Sequence, residues 1–438
     1  MKSIQKTIKM KFAKYVFQSV LAMIGLSLYI LADTFFISKA VGSDGITALN
    51  LALPIYGIIF AIGSMIGVGS AIRFSIEKDR EKDNDNNYFF NALLWGTVIG
   101  IIFSVIGLVF PDKVISIMGG DDIIIKTGIS YFRIFMSFAP FFIWNYICNA
   151  FVRNDGNPSV SMAATLLSSL FNIVFDYVLM FPLGMGMAGA ALATAFSPIV
   201  GIMICMIHFK SKKNSVRFKI SKPSISKLFY SCQVGMSAFV GEISSAVIVT
   251  VFNFLILSIA GNIGVAAYGV VANIALVAVA VFNGVAQGTQ PLISENFGQG
   301  KKENVKLLQK LGIITAISLV IIILIIIWSF TEQIVGIFNS EGSIQLLELA
   351  KPGLRIYFIG FLFAGVNIFC ASALSAVASV KWAFILSILK GFIVVNICAV
   401  VLTPIFGMKG VWSAFPLSEL IILILTVIAM KKTKEAQD

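Results

Sequence analysis

Residues 311–330 read LGIITAISLVIIILIIIWSF and contain no charged side chain. Twenty apolar residues in helical conformation extend about 30 Å, which is the thickness of the hydrocarbon core of a bilayer. The stretch therefore predicts a transmembrane helix. Similar apolar blocks lie on both sides of it along the chain and are separated by short polar loops. We therefore expect a polytopic membrane protein.

The composition supports this prediction. The 438 residues are 58% hydrophobic and 12% charged, and the mean hydropathy is +0.94, whereas soluble domains contain about 25% charged residues. An ordinary soluble protein is therefore excluded. The apolar blocks predict twelve spans, at 15–38, 47–72, 88–110, 128–151, 159–182, 186–209, 228–257, 265–292, 311–330, 352–375, 382–402 and 409–430. The first block is longer than a signal-peptide core of about 7–15 residues, which favours a retained helix.

The basic residues explain the formal net charge of +12 without a nucleic-acid partner. They concentrate at both termini and in the loops on the same side, above all in 210–227, KSKKNSVRFKISKPSISK. Twelve crossings place both termini on one side, and the positive-inside rule makes that side the cytoplasm. The expected location is the bacterial or archaeal cell (inner) membrane, with both termini cytoplasmic.

The 210–227 linker divides the chain into two similar halves, which predicts an N-lobe at 1–209 and a C-lobe at 228–438. The pentapeptide at 41–45 recurs at 260–264, and Asn145 recurs as Asn367, at an offset of about 220. Because each half has an even number of spans, the repeats run parallel, as in transporters that move two bundles about a central site. The predicted fold is an all-α membrane protein of two pseudo-symmetric six-helix bundles.

Motifs for enzymatic chemistry are missing from the sequence. There is no G-x-x-x-x-G-K-[ST] loop, no G-x-S-x-G, no H-E-x-x-H and no C-x-x-C, and His208 is the single histidine. A P-loop ATPase is therefore excluded, and an intramembrane hydrolase or metalloprotease would need an unfamiliar site. We expect no enzyme and no cofactor, and any transport must take its energy from elsewhere.

Polar side chains in the first half predict a cation site. Asp33 lies in span 1 and Asp176 in span 5, and Asn172 precedes Asp176 by one helical turn. At about 1.5 Å per residue, both acids lie about 8–9 Å from the outer ends of their spans, with Thr194 and Tyr131 in the same outer half. Oxygen ligands suit a hard monovalent cation, and burial of two acids together equally suits a proton. The alternative is that both acids only bridge helices.

The second half has fewer polar candidates. Glu242 lies near the middle of span 7 and is interpreted either as a substrate or cation site or as a structural hydrogen-bonding group. Lys390 is expected to snorkel or to pair. Glu295 and Glu419 are expected at the membrane interface.

These residues resemble the multidrug and toxic compound extrusion (MATE) transporters over almost the whole chain. The motifs that carry the resemblance are Asp33-Thr34, the glycines Gly63, Gly67 and Gly69, the segment Gln287-Gly288-Thr289-Gln290-Pro291 followed by Asn296-Phe297-Gly298, and Asn172-x-x-x-Asp176 with Thr194 and Tyr131 nearby. The last set matches the N-lobe cation site of the family's prokaryotic branch.

The resemblance implies a V-shaped pair of six-helix bundles and secondary active efflux of small organic, often cationic, compounds coupled to H⁺ or Na⁺. It implies that Asp33, Asp176, Asn172, Thr194 and Tyr131 couple the cation, and that the first four hold Na⁺ if sodium is the ion. The candidate substrate-binding residues are Glu242, Asn145 and Gln287. Membrane lipids are the expected surroundings, and a functional monomer is expected.

Two points of the resemblance stay open. Some relatives carry an acid in span 10, where this chain has Asn367, which argues against a cation site in the C-lobe. A lipid-linked precursor flippase of the same superfamily, an uncoupled channel and a membrane enzyme are the alternative functions. A flippase would need a large cationic cavity, and the basic residues within the spans, Arg133, Arg355 and Lys390, are few for that.

Overall fold

The computed structural model describes residues 2–78, 87–216, 218, 220, 222–338 and 343–435. These residues fold into helices joined by short turns. The helices are α1 (Lys2–Ala40), α2 (Ser43–Glu77), α3 (Tyr88–Val109), α4 (Pro111–Ile117), α5 (Asp122–Ser137), α6 (Ala139–Asn154), α7 (Pro158–Met180), α8 (Gly186–Phe209), α9 (Ile225–Gly298), α10 (Lys302–Ser329), α11 (Thr331–Phe338), α12 (Ile344–Ile359), α13 (Phe361–Ala376), α14 (Val380–Ile388), α15 (Val395–Phe406) and α16 (Met408–Glu435). A π-helical turn, Leu389–Val394, joins α14 to α15.

The described helices make twelve crossings. Nine continuous helical segments are long and apolar enough to span a membrane, and two bent pairs, α5 with α6 and α12 with α13, add one crossing each. One of the nine segments is α9, whose 74 residues are interrupted at Gly261 (φ 59°, ψ −156°), so it supplies two crossings. The structure confirms the predicted all-α fold of twelve spans.

Each half of the chain has its own apolar core. In the N-lobe, α1 to α8 enclose side chains such as Phe132, Phe135 and Phe151. In the C-lobe, α9 to α16 enclose Phe252 and Trp412. Helix α1 departs from this division, because the early residues Phe12, Tyr15 and Val16 pack against Val285 and Leu292 of α9.

The predicted repeat is visible in the backbone geometry. The two bent spans break at Phe138 and Gly360, with bends of 47° and 45°. Each bent span then ends on a residue with positive φ, Gly156 (87°) in the N-lobe and Ala378 (54°) in the C-lobe. At both ends the next amide bonds back to the carbonyl five residues earlier, Asn157 to Val152 (3.1 Å) and Ser379 to Leu374 (2.8 Å). These are the bonds of a Schellman helix end.

The lobes contact each other on one side of the molecule, which we call the linker side because the described residues of the linker, 210–216, 218, 220 and 222–224, lie there. Helices α2 and α9 cross so closely that a Cβ on Gly69 would lie 1.9 Å from the Ser231 carbonyl oxygen, and a Cβ on Gly235 would lie 1.9 Å from that of Met65. Any larger residue at Gly69 or Gly235 would therefore push the helices apart. This explains why glycine stands at these positions.

Polar side chains close the same contact. Arg153 at the end of α6 donates to Gln287 of α9 (2.8 Å). Its neighbour Asn154 accepts from the Gln290 amide (2.9 Å) and from Ser75 of α2 (3.1 Å). The lobes are therefore joined on the linker side by backbone packing together with a buried hydrogen-bond network.

Candidate functional site

The two N-lobe acids lie together in the interior of the lobe. Asp33 of α1 is 7% exposed and Asp176 of α7 is fully buried. Their carboxyl groups are within hydrogen-bonding reach of each other when one is protonated. One oxygen of each, Asp33 Oδ1 and Asp176 Oδ1, is buried and accepts no hydrogen bond from any described residue. The site therefore offers two unused carboxyl oxygens.

Asn172 and Thr194 complete one wall of the site. Both are buried, on α7 and α8. In the amide orientation that satisfies both ends of Asn172, its nitrogen donates to Asp176 Oδ2 (3.2 Å), and its oxygen accepts from the Thr194 hydroxyl (3.1 Å) and backbone amide (3.3 Å). Asn172 thereby links α7 to α8 and fixes the position of the Asp176 carboxyl group.

Tyrosines form the other wall. Tyr131 of α5 is fully buried, and its hydroxyl shares a 2.9 Å hydrogen bond with that of Tyr56 on α2. Both hydroxyl groups lie within electrostatic range of the Asp33 carboxyl group. Tyr29 lies one turn before Asp33 on α1 and interacts with Asp33 and Asp176. Sequence reasoning missed Tyr56 and Tyr29, although the i, i+4 spacing of Tyr29 and Asp33 could have indicated the latter.

The arrangement suits the binding of one positive charge. Two ionised carboxylates at this separation in a buried site repel each other, and removing both from water is costly unless a cation compensates them. A proton or Na⁺ would meet carboxyl, amide and hydroxyl oxygens there, the ligands that a hard cation prefers. No group of three or more His, Cys, Asp or Glu side chains with metal-site geometry occurs in the described part of the chain.

The structure places the three predicted substrate-binding residues at different sites. Glu242 of α9 is exposed, and its charge lies within electrostatic range of Tyr29 and Tyr146 of the N-lobe. Asn145 packs against Gly201 of α8 and accepts from Asn149 (2.9 Å), within the N-lobe. Gln287 lies in the contact on the linker side. A role in substrate binding remains a prediction for all three.

Glu419 is not at the membrane interface, so that prediction was wrong. It is 3% exposed and lies inside the C-lobe, where it accepts from the Asn367 amide (2.8 Å) and pairs with Lys390 (3.4 Å). A lone acid in an apolar helix gives no sign of its partner when that partner is far away in sequence. Lys390 was expected either to snorkel or to pair, and in the structure it pairs with Glu419.

A second polar cluster anchors the linker to the N-lobe. Asp155, at the end of α6, accepts from His208 Nε2 (2.9 Å), Lys78 Nζ (2.9 Å) and the backbone amide and hydroxyl of Ser215. Burial alone would raise the pKa of Asp155, but these hydrogen bonds outweigh it and lower the pKa from 3.8 to about 2. Since His208 Nδ1 accepts from the Asn157 amide (3.1 Å), its Nε2 carries the donated proton.

Comparison with known proteins identifies relatives over nearly the whole chain. The sequence profile of the MatE family matches residues 19–178 and 238–403. The multidrug export protein MepA of Staphylococcus saprophyticus is 28% identical over 409 residues, which cover 90% of this chain and 88% of the relative. MepA of Staphylococcus aureus strain MRSA252 is 28% identical over 397 residues, covering 88% and 85% of the two chains.

Solved structures share the fold. One, described as the outward-facing conformation of a multidrug resistance MATE family transporter of the MOP superfamily, superposes with a TM-score of 0.92 over 98% of this chain and 96% of the other, at 20% identity. A MOP superfamily transporter from Pyrococcus furiosus, for which a binding pocket of reverse polarity is described, superposes with a TM-score of 0.88 at 20% identity, over 98% and 96% of the chains.

Proposed function

The chain belongs to the MatE family, and from this premise we propose that it is a secondary active exporter of small organic, often cationic, compounds, driven by antiport with H⁺ or Na⁺. Its relatives named as multidrug export proteins support the export of drugs. The observation that carries the coupling is the pair of buried N-lobe acids, each with an oxygen that no described group satisfies. An incoming cation would supply a positive charge that compensates the two acids.

The contact between the lobes supports alternating access. The described interlobe hydrogen bonds, Arg153 to Gln287 and Asn154 to Gln290, lie on the linker side. Glu242 remains exposed although it lies within a transmembrane helix. We infer from these two features that a cleft between the lobes opens on the side opposite the linker. Opening on the linker side requires these hydrogen bonds to break while the outer halves of the lobes come together.

The transport cycle combines these two features. With the cleft open to the outside, Asp33 and Asp176 take up a cation, which relieves their repulsion and changes how α1 packs against α7. The substrate then leaves outward, and the cation-loaded lobes open inward and release the cation. When one inward cation is exchanged for a neutral compound, one net charge moves inward and the membrane potential contributes about 2.3 kcal/mol per 100 mV. One-for-one exchange for a monovalent organic cation is electroneutral, so the concentration gradient of the coupling ion drives it.

Orientation and substrate class belong to the same proposal. By the positive-inside rule, the basic linker and termini support a cytoplasmic location of the linker side, in a bacterial or archaeal cell. The exposed Glu242 carboxylate faces the N-lobe across the cleft, where it would attract an organic cation. We therefore place the substrate between Glu242 and the tyrosines Tyr29 and Tyr146.

Transport in proteoliposomes tests the proposal. A fluorescent organic cation is loaded, and a pH gradient and a Na⁺ gradient are imposed in separate experiments on the wild type and on Asp33→Asn. We expect one of the two gradients to drive transport in the wild type. In Asp33→Asn the rate of gradient-driven transport should fall at least about tenfold, because the site then has one acid fewer and no longer needs a cation.

Asp44→Asn is the matched control. Asp44 also lies in the N-lobe, but it is exposed at the start of α2. This variant loses the same charge and should transport like the wild type. Gradient-driven transport that survives in Asp33→Asn at the wild-type rate would refute the coupling role, and transport without any gradient would indicate a channel.

A further inference from the structure

The C-lobe buries its own charged cluster, in which the acid has a cationic partner and an amide donor. Glu419 Oε1 lies 3.4 Å from Lys390 Nζ. Glu419 Oε2 and the Glu419 backbone carbonyl both accept from the Asn367 amide, at 2.8 and 2.9 Å. The Asn367 oxygen in turn accepts from the Thr426 hydroxyl (3.0 Å). The cluster joins α13, α16 and the π-helical turn.

The cluster lies near the middle of the membrane. Lys390 comes ten residues after the start of α14 at Val380, and Glu419 comes eleven residues after the start of α16 at Met408. At about 1.5 Å per residue, these positions are about 15 Å from the opposite ends of their spans. A charged side chain at this depth of the membrane has a high free-energy cost, and such side chains occur almost only where they are paired or functional.

Lys390 lies within an irregular turn of its span. The π-helical turn Leu389–Val394 adds one residue to the turn, which rotates the later residues of the span by about 100° relative to a regular α-helix. Gly391 lets this turn approach α9, since a Cβ there would lie 2.3 Å from the Ser244 Cβ. Single π-turns of this kind are found disproportionately at functional sites.

The two lobes thus treat their buried acids in opposite ways. In the N-lobe, Asp33 and Asp176 each keep an unused oxygen, and no salt bridge to either acid occurs among the described residues. In the C-lobe, the Asn367 amide donates to the Glu419 carboxylate, and the Lys390 ammonium group pairs with it at 3.4 Å while making no hydrogen bond to a described residue. The ammonium group of Lys390 stands where a free monovalent cation would stand beside a buried carboxylate.

We propose that Glu419 and Asn367 form a monovalent-cation site that is permanently occupied by the chain's own Lys390 ammonium group. The tethered cation keeps the C-lobe cluster neutral throughout the cycle, so this lobe exchanges no ion. The consequence that the N-lobe acids alone carry the coupling rests on the export function proposed above. The occupancy of the site by Lys390 does not depend on that function.

Direct cation binding tests the occupancy without transport. All proteins carry Asp33→Asn, which removes the N-lobe response, and are purified into lipid nanodiscs. The test variant adds Lys390→Met, which keeps the length of the side chain but removes its charge. Melting temperatures are compared in NaCl and in N-methyl-D-glucamine chloride, and the infrared band of a protonated carboxyl group is recorded at neutral pH.

The added Lys390→Met substitution should create a cation site that the parent lacks. Relative to the parent, which retains the buried Asp176, we expect either a Na⁺-dependent rise in melting temperature on the order of a few degrees or an additional protonated-carboxyl band. Further addition of Glu419→Gln should abolish both signals, because it removes the acid that takes up the cation. Lys409→Met, which removes an exposed lysine at the start of α16, should give neither signal.

Two results would overturn the proposal. One is an unchanged response to Na⁺ together with no new carboxyl band in the Lys390→Met variant. The other is a Na⁺ response in the parent that Glu419→Gln removes, because a site already filled by Lys390 cannot bind a second cation. If the Lys390→Met variant folds only in NaCl, the yield of folded protein in each salt is compared instead of the melting temperature. An equally low yield in both salts counts against the proposal.

The same proteins separate this inference from the export function. Failure of the wild type to transport under either gradient would refute the proposed function. The gain of a cation response on Lys390→Met would still be measured in the nanodisc assay, since that assay needs no substrate.

Discussion

The N-lobe and the C-lobe share a backbone but differ in the partners of their buried acids. Both lobes contain a bent fourth span and a Schellman helix end, at Gly156 and Ala378. In the N-lobe, Asp33 and Asp176 lie together with unused oxygens, whereas the buried C-lobe acid Glu419 is paired with Lys390. The comparison teaches that one fold can surround a buried acid with different partners. We propose that these neighbouring side chains decide whether the acid exchanges a cation.

The largest expected effect contrasts Glu419→Gln with Asp33→Asn. Glu419→Gln leaves the Lys390 ammonium group buried without a counter-charge, which costs about 3–5 kcal/mol. Asp33→Asn removes one of two facing acids and should leave stability unchanged or raise it. Melting temperatures of the purified variants check this, and Lys390→Met with Glu419→Gln should recover most of the loss. Equal destabilisation by the two single substitutions would contradict the comparison.

The next effect concerns the contact where the two lobes meet. Gly69→Ala places a Cβ against the Ser231 carbonyl oxygen, and we expect a cost of about 1–3 kcal/mol to closure on the linker side. Cys232, the neighbour of Ser231, is partly exposed, whereas the other four cysteines are mostly buried. Its rate of maleimide labelling should therefore rise about fivefold or more as the helices separate.

Gly57→Ala is the control on the same helix. A Cβ at Gly57 meets no atom within 4 Å. This variant should label at the wild-type rate and be slightly more stable, because alanine is the better helix former. Equal labelling of both variants would show that the close approach at Gly69 does not hold the lobes together.

A smaller effect concerns Asp155, which lies at the end of the N-lobe on the linker side. Since its folded pKa of about 2 lies below the unfolded 3.8, Asp155 stabilises the fold above about pH 4, and this contribution is lost as pH falls towards 2. Asp155→Asn should cost about 1–2 kcal/mol at neutral pH, and the difference from wild type should shrink on acidification. Thermal unfolding in detergent at several pH values checks this. A difference that is constant with pH would refute the charge contribution.

The smallest effect exploits the matching helix ends. Ala378 holds a positive φ that glycine adopts without strain, so Ala378→Gly should stabilise the C-lobe by up to about 1 kcal/mol. The reverse change, Gly156→Ala, should destabilise the N-lobe by a similar amount, because a Cβ there meets only the Tyr15 hydroxyl, at 3.7 Å, and the strain is conformational. Melting temperatures of the two variants should shift in opposite directions. Shifts of the same sign would contradict the equivalence of the two ends.

The sequence determined the fold class. Apolar blocks that are long enough to cross a bilayer predict spans directly, because the hydrocarbon core requires each crossing helix to be apolar over about twenty residues. The repeat was detectable because 41–45 and 260–264 still resemble each other, and the structure gives both Gly42 and Gly261 a positive φ. The proximity of Asp33 and Asp176 in the N-lobe was also predictable, since charged side chains within spans are few, whereas Tyr29 and Tyr56 were missed. The role of these residues in cation coupling remains a prediction.

Only the tertiary structure decided how those side chains are partnered. Nothing in the sequence shows that Asn172 links Asp176 to Thr194, that Tyr56 holds Tyr131, or that Lys390 reaches Glu419. These partners lie on different helices, so their distances depend on how the helices pack and, for Lys390, on a π-helical turn. Hydropathy specifies that a helix crosses the membrane, but its rotation and its neighbours are set by the packing of the whole lobe.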